Sequence, residues 1–506
     1  MGLEIDKSSF TPQEFSGFYQ RLGSNLQALK ALLQRPGFGE GPGSLGAELE
    51  LCIVDHNGHP LLVNSEIQNA RADPQLTLEL NRYNLEYNLT PVPIQGTPFS
   101  GIEAEIRTAV AALEQSALAH GGHILAIGIL PTLRRRDFGP HVMTDQCRYR
   151  ALTDGLSRIR GERIQVRING DEPISLRARD VTLEGANTSL QLHYRVRPAD
   201  FSDTYNAMQL ATPVVLALAG NSPFLLGHRL WHETRIPLFK HAIDGAGSNG
   251  PGGNGHSSNG NCSRRASRVN LGTGWVRDGA YELFAESALL HDALLPVCQE
   301  VEDDMARVQN GGLPKLHELR LHQGTIWPWN RVIYDDSCGG HLRIEMRALP
   351  AGPTACDMMA NAAFLIGLAE GLRGDIAELM PGLPFAMLEH NFYRSAEMGI
   401  RAKLLWPSSC KRRLEEVSAT RLAHELLPLA AQGLKRIGID AAESGHYLGI
   451  IEQRLERGCT GATWQLFQVE RLNRRLSRHR ALKTMLEGYR VRADLNQPVA
   501  QWTDMH

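Results

Sequence analysis

The segment His341-Leu342-Arg343-Ile344-Glu345-Met346-Arg347 alternates without a break, with His, Arg, Glu and Arg at odd positions and Leu, Ile and Met between them. Residues two apart on a strand share a face, so this pattern predicts a half-buried strand with one apolar face and one lined by mixed charge. A second segment, Leu45–Val54 (LGAELELCIV), places Glu48 and Glu50 on one face and Leu45, Leu49, Leu51 and Ile53 on the other, before an Asn57-Gly58 turn. Working outward, Leu85–Pro91 and His123–Gly128 read as further short strands, and several more are expected between Ile164 and Val196. Amphipathic spacing predicts a helix over Pro12–Leu33, Ile102–Leu118 reads as another, and the apolar run Ala207–Ala219 as a third. From Asp357 the texture turns to long helices, including Glu415–Arg436 and Arg471–Tyr489. The expected class is α+β with an antiparallel sheet. It comprises an N-terminal helix and linker (1–44), a catalytic portion (45–375) with a flexible Gly/Asn/Ser-rich loop at 244–261, and a helical C-terminal portion (376–506) packed on it.

Bulk properties narrow the function. With Lys+Arg 53 against Asp+Glu 55 and a net charge of −2, the chain lacks the basic excess of a protein that lives on phosphate-backbone contacts, so nucleic acid is a poor partner. The eight cysteines include no C-x-x-C pair, which argues against a zinc knuckle or a dithiol redox site and fits a reducing compartment. Met1–Phe10 carries acidic residues where a signal peptide has basic and apolar regions, and the longest apolar runs are too short for a bilayer. The expectation is a cytoplasmic protein acting on small molecules, away from membranes, with homo-oligomerisation left open.

The polar strand faces suggest the chemistry. Two carboxylates on one face, Glu48 and Glu50, are expensive to bury without cations, and magnesium takes hard oxygen ligands. Glu345 suits a cation as well, while Arg343 and Arg347 suit phosphate oxygens, which guanidinium binds in bidentate fashion. Gln191 and His193 share a face in Thr188–His193, and Glu86 precedes Thr90-Pro91. The bland alternatives are a solvated sheet face and an interstrand ladder of salt bridges. No G-x-x-x-x-G-K-[ST] loop or G-x-S-x-G elbow is present. The histidines His317, His322 and His341 raise a metal-hydrolase alternative, but their spacing matches no zincin pattern.

In this order the segments resemble the bacterial-type glutamate–cysteine ligases, in particular the carboxylate–amine ligase branch. The resemblance is carried by Gly46-x-Glu48-x-Glu50, Glu86 with Thr90-Pro91, Thr188–His193, Asn221-Ser222-Pro223 followed by Arg235, Trp327 with Arg331, and Glu345-x-Arg347. It continues through Asn391, Arg394 and Gly399 to Gly461, Ala462 and Gln465, and so spans about residues 45 to 465. Ala348-Leu349-Pro350 departs from it where many relatives have an Asp. The resemblance implies a glutamine-synthetase-like antiparallel sheet funnel flanked by helices, with ATP and Mg2+ as cofactors. It implies Glu48, Glu50, Glu86, His193 and Glu345 as metal ligands, with Gln191, Arg343 and Arg347 at the nucleotide. Arg347 would contact the transferring phosphate, and Arg235 or Arg331 a substrate carboxylate or phosphate. The implied reaction makes an acyl phosphate from an amino-acid carboxylate, by default the glutamate γ-carboxyl, and transfers it to an amine, by default that of cysteine. A different acceptor, or an idle nucleotide-binding relative, is the alternative.

Overall fold

The computed structural model describes residues 5–161, 164–244, 266–299, 303–407 and 413–502. Most of the Gly/Asn/Ser-rich segment expected at 244–261 lies outside them. In chain order the strands are β1 (Ser44–Asp55), β2 (Leu76–Leu78), β3 (Asn84–Asn88), β4 (Val92–Pro93), β5 (Gly122–Leu125), β6 (Ile164–Ile168), β7 (Ile174–Ala178) and β8 (Leu190–Val196). They continue with β9 (Phe224–Leu225), β10 (His228–Arg229), β11 (Asn330–Asp335), β12 (His341–Met346), β13 (Lys403–Pro407) and β14 (Leu414–Ser418). The main sheet has eight strands in the order β11-β12-β8-β1-β3-β2, with β4 and β5 also on β1, and every pairing is antiparallel. The other strands form separate two-stranded hairpins.

The alternation seen in the sequence becomes the division of labour in this sheet. Leu45, Ala47, Leu49 and Leu51 of β1, Leu190 and Leu192 of β8, and Leu342, Ile344 and Met346 of β12 are all buried in the core. Each large apolar side chain among them stabilises the fold by roughly 1.5–3 kcal/mol relative to exposure. Behind this face lie two helices without an exposed stripe, Phe201–Ala219, in which only Ser202 and Asp203 escape burial, and Ala355–Leu372, which is buried throughout. The second is apolar enough in composition to pass for a membrane span, yet it is wholly enclosed. Polar pins hold helices to sheet. Tyr205 donates to the Asn330 carbonyl at 2.8 Å, Asn330 donates to Gln209 at 2.6 Å, and Tyr194 donates to Glu370 at 3.0 Å.

Ala355–Leu372 is crossed at close quarters by helix Ala419–Arg436. A Cβ on Gly433 would overlap the Gly367 carbonyl oxygen and meet the Gly371 nitrogen at 2.5 Å, so the two backbones touch where side chains would otherwise separate them. Buried Arg454 of helix Ala441–Arg457 ties the same region together, donating to Asp357 at 2.8 Å, Asn361 at 2.5 Å and the Leu218 carbonyl at 3.0 Å.

Pro12–Leu33 is helical with the bounds expected, its start fixed by a Thr11–Glu14 capping box and Pro12. Two C-terminal elements differ from expectation. Residues 414–418 pair with β13 instead of opening the helix, and Ser418 caps a helix that starts at Ala419. The Arg471–Tyr489 segment is split between helices Gly461–Asn473 and Arg478–Asp494. An unbroken helix would stack Arg471, Arg474, Arg475 and Arg478 at three- and four-residue spacings, where like charges repel.

Candidate active site

The other face of the sheet gathers the polar residues. In antiparallel pairs, residues directly opposite one another point to the same side. Glu50 is opposite Glu86, which is opposite Thr77, and Glu48 is opposite Gln191. One row further, Gly46, His193, Glu345 and Arg331 stand abreast across β1, β8, β12 and β11. Arg347, just past the end of β12, follows Glu345 on the same side.

Two groups of ligand atoms form there, each within 4.8 Å: Glu48, His193 and Glu345, and Glu50, Glu79 and Glu86. The first is rich in internal cations. His193 Nε2 lies 3.0 Å from Glu48 Oε1. Glu345 is fully buried and held from two sides, by both Nε and Nη2 of Arg331 (the latter at 3.0 Å) and by Arg347 Nη1 at 2.6 Å. Burial opposes ionisation of Glu48, but His193 outweighs it and holds the carboxyl down at about 2. Burial also opposes ionisation of Glu345, yet Arg331 and Arg347 press it far below the usual carboxylate range.

The second group is the reverse. Glu50 accepts from the Ser189 amide and Gln191 Nε2, both at 2.7 Å, and Glu86 accepts from Thr77 at 2.9 Å and Asn88 at 3.0 Å, all neutral donors. Among the described residues none of the three carboxylates makes an ion pair within 4.0 Å. Burial and the charge of Glu86 push Glu50 up to about 7, although Arg347 and Arg235 pull the other way. Burial together with Glu86 and Glu50 pushes Glu79 well above its ordinary value, and burial with Glu48 raises Glu86. Three hard oxygen donors that repel one another are what a divalent cation relieves, so this donor set fits magnesium. A bridge joins the groups: Arg347 Nη1 donates to Gln191 Oε1, and Gln191 donates to Glu50.

The structure thus brings Glu48, Glu50, Glu86, Gln191, His193, Glu345, Arg347 and Arg331 together. Arg343 lies on the same face two residues further along β12, opposite Arg195, with Nη2 3.3 Å from Asp335. Arg235 is not on a strand of the sheet, though its charge reaches Glu50. It begins helix Arg235–Asp244, is 3% exposed, and its guanidinium donates to Glu233 at 2.8 Å and the Ala348 carbonyl at 2.7 Å. His317, His322 and His341 form no metal-compatible group among the described residues. Asn221 and Gln465, singled out as motif residues, meet at 2.9 Å, and Asn221 also donates to Tyr489 at 2.8 Å. They fasten the C-terminal helices.

Sequence reasoning missed Glu79 and Arg195. Leu76-Thr77-Leu78-Glu79-Leu80 alternates as β1 does, and that pattern could have found Glu79, since Thr77 already faces Glu86. It also missed Glu184, in the turn Val181–Ala186, whose carboxyl is pushed up to about 8 by burial and by Glu50.

A sequence model of glutamate–cysteine ligase family 2 matches residues 44–484. The chain belongs to this family. It is a ligase by that membership, and the match covers every strand of the main sheet. No curated protein matches. Among solved structures this family member is similar to the glutamate–cysteine ligase of Francisella tularensis in complex with AMP, at 12% identity and a TM-score of 0.54, covering 90% of each chain. It is also similar to a bifunctional glutathione synthetase from Pasteurella multocida, at 14% identity and a TM-score of 0.45, covering 95% of this chain and 55% of that one. The glutamine-synthetase-like antiparallel sheet with flanking helices, expected from the sequence, is the fold observed.

Proposed function

We propose that this family member is an ATP- and magnesium-dependent carboxylate–amine ligase that activates the γ-carboxyl of glutamate and joins it to the amine of cysteine. The observation that carries the reading is the pair of carboxylate-rich groups side by side on the polar sheet face, flanked by guanidinium groups. AMP in the Francisella ligase supports use of the nucleotide.

A carboxylate is a poor acyl donor. Its oxygen attacks the γ-phosphorus of ATP, the bond to the β-phosphate oxygen breaks, and acyl phosphate and ADP result. The amine nitrogen then attacks the acyl carbon, phosphate leaves, and the nitrogen gives up a proton. Such chemistry needs placement and charge neutralisation more than a protein nucleophile. Glu50, Glu79 and Glu86 would hold one magnesium, and Glu48, His193 and Glu345 a second. When bound, the metal neutralises the triphosphate and the transferring phosphoryl group. Arg347 reaches the same space from the sheet, so its guanidinium is placed to bind the phosphoryl oxygens. Arg343 and Arg195 extend the row of positive charge along β12 and β8, where the remaining phosphates would lie.

The test is ADP release from purified protein with ATP and magnesium, screening glutamate against each amino acid as acceptor while reading product mass. Release dependent on glutamate and cysteine, with γ-glutamylcysteine formed, is the expected result. Turnover only with another pair would replace the substrates. No turnover with any pair would sink the reading.

A further inference from the structure

The two groups of ligands differ in what balances their charge. At Glu50, Glu79 and Glu86 the hydrogen-bond donors are neutral, and none of the three makes an ion pair within 4.0 Å among the described residues, Arg347 and Arg235 acting on Glu50 only from further off. At Glu345 the balance is already made inside the protein. Both of its oxygens accept from Arg331 and one also from Arg347, and Glu345 itself is fully buried. A divalent cation entering there must break charge-assisted bonds to a buried carboxylate and stand beside two guanidinium groups. Arg331 Nη1 also lies 3.4 Å from the Gln323 carbonyl.

We propose that Arg331 is an internal counter-ion that keeps the Glu48–His193–Glu345 position closed to metal until nucleotide phosphates arrive, so that the two cation positions fill in order. The Glu50–Glu79–Glu86 position loads in the protein alone. The second loads with the nucleotide, whose phosphate oxygens offer Arg331 and Arg347 another anion and free Glu345. The chain Glu345···Arg347···Gln191···Glu50 links the two positions, since Arg347 Nη1 is shared by Glu345 and Gln191 and Gln191 donates to Glu50. Arg331 is thereby a positioning residue acting through Glu345. The ordering by nucleotide rests on the function proposed above, whereas the closure by Arg331 is a property of the protein alone.

The experiment counts Mn2+ bound per chain without nucleotide, by equilibrium dialysis and electron paramagnetic resonance, manganese being a ready substitute at hard oxygen sites. Wild type is expected to bind one ion tightly, and Glu86→Gln to lose it. Arg331→Gln is expected to bind a second ion at least about tenfold more tightly than wild type does, the worth of a charge-assisted bond to carboxylate. Adding Glu345→Gln to that variant should abolish the second ion. With a non-hydrolysable ATP analogue, wild type should take up the second ion as well. Two equally tight ions in nucleotide-free wild type would overturn the proposal, and so would a second-site affinity unchanged by Arg331→Gln. If melting curves show that variant misfolded, Arg331→Lys, which keeps the charge but not the fork, is measured the same way. A rise in affinity supports closure and no rise overturns it. Absence of ADP release with every substrate pair would defeat the functional reading while leaving these ion counts to decide the closure.

Discussion

Replacing Glu50 by Gln should make the metal-free protein more stable than wild type as the pH rises, even as it removes one of the carboxylates proposed to hold magnesium. Glu50 is pushed from 4.5 to about 7 by burial and by Glu86. A carboxyl raised in the folded state contributes stability that is fully present below its unfolded value and lost as pH climbs through the folded one. Integrated over protons bound, the raised carboxyl of Glu50 costs the folded protein about 3 kcal/mol at pH 8.5, where it is ionised, and about 1 kcal/mol at pH 5.5, where the folded form holds a proton the unfolded form has lost. Gln removes that term but gives up one acceptor facing the Ser189 amide or Gln191, a loss of about 1 kcal/mol. The variant should therefore match wild type at pH 5.5 and exceed it by about 2 kcal/mol at pH 8.5. Urea unfolding in EDTA at the two pH values measures this, with the m-value checked for constancy. Saturating magnesium should shrink or reverse the gap at pH 8.5, because only wild type keeps the full donor set. A variant no more stable than wild type at pH 8.5 in EDTA would refute the picture of three crowded, uncompensated carboxylates.

Other outcomes follow from neighbouring features. Glu79→Gln should raise the magnesium concentration needed for half-maximal ADP release by about tenfold or more, with little change in stability at pH 6, read from a metal titration alongside urea unfolding. Gly433→Ala forces apart a pair of helices whose backbones touch, and should lower urea stability by about 2–4 kcal/mol, at or above the usual range for overpacking. Arg454→Met strands Asp357 in the core and should cost about 3–5 kcal/mol by the same assay, as breaking a buried pair does.

The face-alternating strands were legible because period-two patterning is local. Glu48, Glu50, Glu345 and Arg347 could be placed on one side of their strands without knowing which strands pair. The start of the first helix was equally plain, since Thr11, Pro12 and Glu14 state it in four residues. What the sequence hid was long-range. That Glu345 faces Arg331 on the neighbouring strand, or that Glu79 closes on Glu50, depends on register, which is set by the whole sheet. Arg235 illustrates the converse. Its position after Asn221-Ser222-Pro223 suggested a ligand-binding arginine, and what the sequence did not show is that Glu233 and the Ala348 carbonyl hold its guanidinium, within electrostatic reach of Glu50. The β13–β14 hairpin was missed because Glu415 and Glu416 favour helix locally, and pairing with Lys403–Pro407 overrides that preference.

Because β1, β8 and β12 are core wall on one side and carry the polar cluster on the other, they have no neutral positions to spare. Inserting or deleting a single residue in β8 would exchange Gln191 and His193 for Leu190 and Leu192, losing packing and chemistry in one step. Such a sheet resists gradual remodelling, whereas the segments that leave the strand ends are free of that double constraint. For engineering a new acceptor specificity, the strands are best held fixed and libraries directed to those connecting segments.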